Sequence, residues 1–189
     1  MAVSAIGFSC IGQSLCILSG GFDLSVGSTV LVSGATAAFL IRNYNLNIWL
    51  AFLIIIILGL VIGLINGLLI TLGKVNPLIA TLAVSSILTG LVFFLTQGKF
   101  INVRDESFRF LGLYRLFNLK YLQMPIILLI ILFIVFFFIL KYSVYGKYIY
   151  SVGGNRIAAK FSGINVNLVI ASVYIVSGIL SAIGGYIFA

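Results

Sequence analysis

Long apolar stretches dominate this chain and restrict the folds it can adopt. Stretches of about 20 apolar residues recur, which is the length a helix needs to cross a hydrocarbon core roughly 30 Å thick. Only 7% of the 189 residues are charged, and the mean hydropathy is +1.30. The stretches are too long, and alternate too little, for the strands of a β-barrel. We therefore predict an all-α fold, a polytopic helical membrane bundle.

About six transmembrane spans of a larger bundle can be placed in the sequence. They lie near 2–18, 25–41, 48–72, 77–96, 121–140 and 166–189, with long polar segments at 99–120 and 141–165. No charged residue lies between Phe161 and Ala189, so the chain ends inside an apolar helix pattern. We therefore expect residues 1–189 to be one partial transmembrane domain, either a fragment or the product of a truncated gene.

The basic residues lie in the loops between the apolar stretches. This placement explains the net charge of +8 by membrane topology, so nucleic-acid binding is not expected. The loops at 20–26, 73–76 and 141–165 share one side and hold five Lys or Arg, whereas the other side holds six. Because the two counts are so close, the positive-inside rule does not decide the orientation.

No motif for catalysis occurs in the sequence. There is no P-loop, since Gly146-Lys147 is followed by Tyr148, and there is neither a nucleophile elbow nor a metal-binding pair. Cys10 and Cys16 are six residues apart and face different sides of a helix, so no disulfide is expected. We predict that the chain is not an enzyme and binds no cofactor or metal. Energy for transport would come from a separate ATPase subunit or from an ion gradient.

Asp23 is the only acidic residue before Asp105, and it lies between two apolar stretches. A carboxylate deep in hydrocarbon costs about 2.5–3.5 kcal/mol on insertion scales, so it needs a partner or a place at the membrane surface. The nearby glycines allow a sharp turn, and Asp23, Ser25 and Ser28 can accept hydrogen bonds from the free N–H groups of the next helix. The predicted signature turn comprises Gly20, Gly21, Asp23, Ser25, Gly27 and Ser28.

A ridge of glycines lies on the third span. Gly59, Gly63 and Gly67 are spaced by four residues, which lets another helix approach closely on one face. Asn66 lies beside this ridge and needs a polar partner in lipid. Helix packing is the simpler interpretation, and a polar pathway along the face of Asn66 is the alternative.

The segment 146–165 contains a predicted short helix. Asn155 can cap a helix from Arg156 to Ser162, and Gly163 can end it. Such a helix could lie on lipid headgroups or dock into a groove on a partner protein. The residues singled out in this segment are Gly153, Gly154, Asn155, Arg156, Ala159, Ser162 and Gly163.

Two long motifs in this chain resemble those of a known family. Residues 21–28 read G-F-D-L-S-V-G-S and resemble the G-I-D-L-S-V-G-S signature of the permeases of simple-sugar ABC importers, with Phe22 in place of the usual Ile. Residues 146–165 resemble the cytoplasmic segment of the same permeases, although Ile157 stands where an acidic or polar residue is common. The residues 67–70 and 77–82 also match, so the likeness covers essentially the whole chain.

The resemblance implies a permease subunit in the bacterial plasma (inner) membrane that imports ribose or a related monosaccharide. Its implied partners are a second permease, identical or different, an ATPase subunit that uses ATP, an extracytoplasmic sugar-binding protein, and membrane lipid. The helix at 155–163 would be the coupling helix, so 141–165 would be a cytoplasmic coupling loop and 99–120 an extracytoplasmic loop. Asp23 would then lie near the ATPase-facing surface and cap the second span.

Two alternatives stay open at this point. An ion-coupled secondary transporter could use Asp23, although such carriers commonly hold several ionisable groups near the midplane. A truncated, non-functional permease remnant is also compatible with the sequence.

Overall fold

A computed structural model of the protein describes residues 2–98 and 124–189, with side chains from residue 4 onward. The described residues form helices and no strands, so the chain is all-α, as predicted. The helices are α1 (Ala2–Leu18), α2 (Val26–Tyr44), α3 (Ile48–Thr71), α4 (Pro77–Thr96), α5 (Met124–Tyr142), α6 (Val144–Gly154), α7 (Arg156–Phe161) and α8 (Val166–Phe188). The predicted loop at 99–120 and the first residues of the predicted fifth span lie outside the described residues.

Four of these helices are long and apolar enough to cross a membrane, namely α3, α4, α5 and α8. Helix α1 is apolar but shorter, and α2 ends in a polar turn that includes Arg42. All six predicted spans coincide with helices, but length and composition support four of them as spans in the described residues. The predicted count of six is therefore not confirmed.

Helix α8 lies at the centre and packs against α1, α2 and α3. Gly12 of α1 lies against Ser177, and Ala5 lies against Gly184, so α1 and α8 run antiparallel. Helix α2 runs parallel to α8, because Asp23 contacts Ser177 and Val30, further along the chain, contacts Gly185.

The glycine ridge of α3 faces the backbone of α8. A Cβ atom added to Gly59 would lie 2.5 Å from the carbonyl oxygen of Gly178, and one added to Gly63 would overlap the carbonyl oxygen of Tyr174. At Gly67 the added atom would lie 3.0 Å from the Cα of Ala171. The two helices can approach this closely only because none of the three residues has a side chain.

The segment 141–165 is mostly helical, which differs from the polar loop predicted there. Helix α5 extends to Tyr142, and α6 follows at once because Ser143 accepts a hydrogen bond from the N–H of Gly146. Ile149 and Val152, three residues apart on α6, are fully buried. This burial against α1 and α8 supplies the packing energy that turns the segment into a helix, a tertiary effect that its local sequence does not display.

Candidate functional site

The residues Gly20–Ser25, which connect α1 to α2, form the centre of the candidate site, and we call them the junction turn. Gly20 has a left-handed backbone conformation with φ of +77°, which favours glycine. A Cβ atom added to Gly21 would lie 2.5 Å from the hydroxyl oxygen of Tyr174. Both glycines are therefore needed for the turn to form and to fit against α8.

Asp23 is buried in the junction turn, with 4% of its surface exposed. One carboxylate oxygen accepts hydrogen bonds from the backbone N–H of Ser25 at 2.9 Å and from its hydroxyl at 2.6 Å. The other oxygen accepts from the hydroxyl of Ser177 on α8 at 2.8 Å. Within the described part of the chain its partners are thus neutral donors. Hydrogen bonds to a charged acceptor are the strong ones, which offsets part of the desolvation of the carboxylate.

The predicted caps at Ser25 and Ser28 are wrong. The backbone of Ser25 already has helical dihedral angles, and its side chain makes no cap hydrogen bond, so its hydroxyl points sideways to Asp23. The hydroxyl of Ser28 donates to the carbonyl of Ser25 at 2.8 Å instead of accepting from an N–H. Only Asp23, which accepts from the N–H of Ser25, acts at the start of the helix as predicted.

Asp23 lies about halfway along α8, although Gly20, Phe22 and Leu24 of the junction turn are exposed. Ser177, the partner of Asp23, is 11 residues after Val166, where α8 begins. A rise of about 1.5 Å per residue places Ser177 roughly 16 Å from that end of α8. The position near the ATPase-facing surface that the resemblance implies for Asp23 stays a prediction. Helix α2 starts partway along its neighbours, because the chain turns back before it reaches their ends.

Consecutive residues of the junction turn bind different helices. The hydroxyl of Tyr174 on α8 donates to the carbonyl of Phe22 at 3.1 Å. The N–H of Leu24 donates to the hydroxyl of Thr81 on α4 at 3.0 Å. The side-chain amide of Asn66 on α3 donates to the Ser25 hydroxyl at 2.8 Å. Three long helices are thereby attached to one short turn.

Asn66 is fully buried and joins the glycine ridge to the junction turn. Because the single proton of the Ser25 hydroxyl is donated to Asp23, Asn66 must offer its NH₂ group to Ser25. Its amide oxygen has no hydrogen-bond donor among the described residues. The geometry places Asn66 in a polar network between helices.

The segment from Gly153 to Gly163 packs against the start of the junction turn. The guanidinium of Arg156 donates to the carbonyl of Gly20 at 3.3 Å. A Cβ atom added to Gly153 would overlap the carbonyl of Leu18, at the end of α1. The fold thus brings together two sequence motifs whose contacting residues are more than 130 positions apart in the chain.

Helix α7 has the cap and the stop that the sequence predicts, and it ends one residue before the predicted Ser162. The side chain of Asn155 accepts from the N–H groups of Ile157 and Ala158, both at 3.0 Å. Gly163 follows with φ of +82°. Ile157 and Phe161 are 70% and 89% exposed, so α7 presents apolar side chains outward.

The other residues predicted in these two motifs have more ordinary surroundings. Ala159 is buried, and the hydroxyl of Ser162 donates to the carbonyl of Ala158. Gly154 and Gly27 have open space where a side chain would be, so packing does not explain either glycine.

Helix α6 is also attached to α8. The hydroxyl groups of Tyr145 and Ser172 share a hydrogen bond of 2.8 Å. Burial raises the pKa of the Tyr145 phenol above its ordinary value, so the group stays protonated and neutral at physiological pH. The link between α6 and α8 is therefore insensitive to pH in that range.

Sequence reasoning did not find Thr81, Tyr174 or Ser177. Each is a buried hydroxyl in an apolar helix. Such a hydroxyl needs a hydrogen-bond partner, and this need was the signal available in the sequence. No group of three or more metal-ligating side chains occurs in the part of the chain that the structure describes, and Cys10 and Cys16 are free thiols.

The sequence matches, over residues 1–189, the family described as "Branched-chain amino acid transport system / permease component". It is 37% identical over 179 residues to the ribose import permease protein RbsC of Haemophilus influenzae, covering 94% of this chain and 55% of that protein. It is 36% identical over 189 residues to the L-arabinose transport system permease protein AraH of Escherichia coli, covering 100% of this chain and 56% of that protein.

A third relative is the galactofuranose transporter permease protein YtfT of Escherichia coli, which is 32% identical over 180 residues, or 95% of this chain and 51% of that protein. The chain thus spans about half the length of the curated relatives it matches. No solved structure matches the chain.

Proposed function

The chain belongs to the family of permease components of the branched-chain amino acid transport system, and from this premise we propose that it is the permease subunit of an ATP-driven ABC importer for ribose or a related monosaccharide. As a member of this family with several membrane-crossing helices, it is a multi-pass protein of the bacterial plasma membrane. The relatives named above, which are permeases for ribose, L-arabinose and galactofuranose, support a pentose or another monosaccharide as the solute.

One observation carries the proposal, namely the contact of α7 with the junction turn. Helix α7 is capped and short, and it exposes Ile157 and Phe161 beside the basic Arg156 and Lys160, as a helix that docks into a groove of a partner protein would do. Arg156 at its start is hydrogen-bonded to Gly20. An ATPase subunit bound to α7 would therefore act on a turn that contacts α3, α4 and α8.

The proposed assembly contains three further kinds of protein. A second permease, identical or different, forms the translocation pathway with this one, a separate ATPase subunit uses the ATP, and an extracytoplasmic sugar-binding protein delivers the solute. The exposed outer faces of α4 and α5 carry many Leu, Ile and Phe side chains, which suits contact with membrane lipid. We assign no catalytic step and no cofactor to this chain.

Uptake of radiolabelled sugars tests the proposal. In the bacterium that carries the gene, deletion is expected to abolish uptake of ribose or L-arabinose, and a wild-type copy is expected to restore it. Unchanged uptake of both sugars and of other monosaccharides in the deletion strain would contradict the proposed function.

The energy source separates the ABC importer from the ion-coupled carrier that Asp23 also suggested. A protonophore applied while cellular ATP is held constant is expected to leave uptake intact, whereas ATP depletion at constant membrane potential is expected to stop it. The opposite pattern would favour the carrier. The neutral donors around Asp23 favour a structural role for the carboxylate and so support the importer.

A further inference from the structure

Helix α5 turns its side chains away from the rest of the bundle along nearly its whole length. Pro125 is the only buried residue of α5, all of which the structure describes. Large apolar side chains such as Phe133, Phe137 and Phe138 are exposed, and the helix is long and apolar enough to cross a membrane. The acyl chains of lipids therefore suit this face, and the end of α5 at Tyr142 falls where hydrocarbon meets the headgroups.

Lys141 is held in place at that end of α5. Its Nζ atom lies 5.3 Å from the ring centroid of Phe137 and 5.3 Å from that of Tyr142. The Tyr142 ring in turn stacks on Phe138, with their centroids 5.7 Å apart. An ammonium group within about 6 Å of a ring face is attracted to it, and a cation also suits the C-terminal end of a helix. The charge of Lys141 is therefore fixed beside the lipid-facing rings of α5.

Helix α6 brings a second lysine to the same end of α5. One residue separates the two helices, and a Cβ atom added to Gly146 would overlap the carbonyl oxygen of Leu140. The next residue, Lys147, is exposed, as are Val144 and Tyr148 on the same face of α6. With 11 residues α6 is too short to cross a membrane, and its exposed Lys and Tyr suit the boundary between hydrocarbon and water. Both lysines therefore lie at the level of the headgroups.

Neither lysine has an acidic partner in the part of the chain that the structure describes. Asp23 is the only acidic residue in 2–98 and 124–189, and it is buried and bonded to Ser25 and Ser177. The charges of Lys141 and Lys147 are therefore not neutralised by these residues. Two ammonium groups beside two phenol hydroxyls supply the charge and the hydrogen-bond donors that a phosphate diester accepts.

We propose that the corner between α5 and α6 binds the phosphate of an anionic phospholipid. The site consists of Lys141, Tyr142, Lys147 and Tyr148, which we call the basic corner, and the acyl chains of the lipid lie along the exposed face of α5. A lipid fits this surface better than an acidic protein does, because the charges continue directly into an exposed apolar helix. The inference does not rest on the proposed function, since it involves neither a solute nor an ATPase subunit.

Lipid titration of the purified protein in a nonionic detergent tests the basic corner, with native mass spectrometry measuring how much lipid is bound. The two probes are phosphatidylglycerol, which is anionic, and phosphatidylcholine with the same acyl chains, which has no net charge. Lys141→Gln and Lys147→Gln are each expected to weaken phosphatidylglycerol binding by roughly fivefold, the effect of one basic residue near an anionic surface. Phosphatidylcholine binding should not change in either variant, and this also shows that the variants are folded.

Two further variants control for charge. Lys160→Gln removes the same charge from α7, outside the basic corner, and should keep the wild-type affinity for phosphatidylglycerol. Lys147→Arg keeps the charge in the basic corner and should also bind phosphatidylglycerol as the wild type does.

Three results would overturn the lipid site. The first is equal affinity of the wild type for the two lipids, and the second is an equal loss of phosphatidylglycerol binding in Lys160→Gln, which would mean that any surface charge attracts the lipid. The third is displacement of phosphatidylglycerol by inorganic phosphate at the same concentration, which would assign the basic corner to free phosphate. None of these measurements uses sugar or ATP, so they leave the proposed function to its own test.

Discussion

At the scale of single residues, Asp23 is held by three neutral donors and not by a cation. The sequence predicts that a carboxylate in this position needs a partner, because hydrocarbon does not solvate a charge. It does not predict which partner, since Ser177 is 154 residues away and looks like many other hydroxyls in apolar helices. The errors at Ser25 and Ser28 have a local cause, because each hydroxyl donates to an acceptor two or three residues earlier, the carboxylate of Asp23 or the carbonyl of Ser25, instead of accepting from an N–H.

Replacement of Asp23 tests this arrangement by its effect on stability. Asp23→Ala leaves the donors of Ser25 and Ser177 without their acceptor, and we expect it to cost about 1–3 kcal/mol. Asp23→Asn keeps one acceptor oxygen in the same place and should cost less. Thermal unfolding of the purified protein in detergent measures both, and an unfolding temperature for Asp23→Ala equal to that of the wild type would contradict the structure.

At the scale of helices, α3 and α8 form the most extensive contact among the described residues. The spacing of Gly59, Gly63 and Gly67 correctly indicates which face of α3 lies against a neighbour. It does not indicate that the neighbour is α8, because a ridge of small residues accepts any helix of complementary shape. Periodicity thus predicts a face, and only the complete packing arrangement predicts the partner.

Gly63→Ala is expected to destabilise the protein strongly. The added Cβ would overlap the carbonyl of Tyr174, which is backbone and cannot rotate away, so overpacking should cost about 1–3 kcal/mol. Gly90→Ala on α4 is the matched control, because its added Cβ meets nothing within 4 Å. Unfolding temperatures of the two variants should differ clearly, and similar values would mean that α3 and α8 are not in close contact.

Helix α7 depends on its cap, since six residues do not form a stable helix alone. Asn155→Ala leaves the N–H groups of Ile157 and Ala158 without their acceptor, which should cost about 1 kcal/mol of helix stability. We expect faster amide hydrogen exchange across 156–161, measured by mass spectrometry. Ser151→Ala on α6, which loses only a bond to the carbonyl of Lys147, should leave that exchange unchanged. Equal rates in both variants would argue against the cap.

At the scale of the whole molecule, the length of the apolar stretches predicts the class of fold well and the number of transmembrane spans less well. The all-α class follows from the length of the apolar stretches and their lack of alternation, because only helices and closed barrels pair every backbone group in hydrocarbon. The count of spans does not follow, because α1 has only 17 residues and α2 is less apolar than the four helices that qualify as spans. The local sequence also does not predict that most of 141–165 is helical, since α6 is stabilised by burial against distant helices.

The ends of α2 and α7 lie at opposite ends of the bundle, which makes the orientation measurable. In a cysteine-free background made by Cys10→Ala and Cys16→Ala, we expect Tyr44→Cys to react with an impermeant maleimide in intact cells. Phe161→Cys should react only after the membrane is permeabilised, because the proposed function places α7 in the cytoplasm. Both side chains are exposed, so access should reflect the side of the membrane.

The cysteine-free parent should remain unlabelled in both conditions. Labelling of Phe161→Cys in intact cells would reverse the proposed orientation and separate α7 from any cytoplasmic ATPase.

The central position of α8 has a consequence for how the protein is made. Among the described helices α8 is synthesised last, yet α1, α2 and α3 all pack against it. Until it leaves the ribosome and enters the membrane, Asp23 lacks the hydroxyl of Ser177, and the glycine ridge of α3 has no neighbour. Until then α1, α2 and α3 must therefore stay loosely packed, with polar groups that lack their partners on α8. Biogenesis of this protein should depend on an insertase or chaperone that shelters them during that interval.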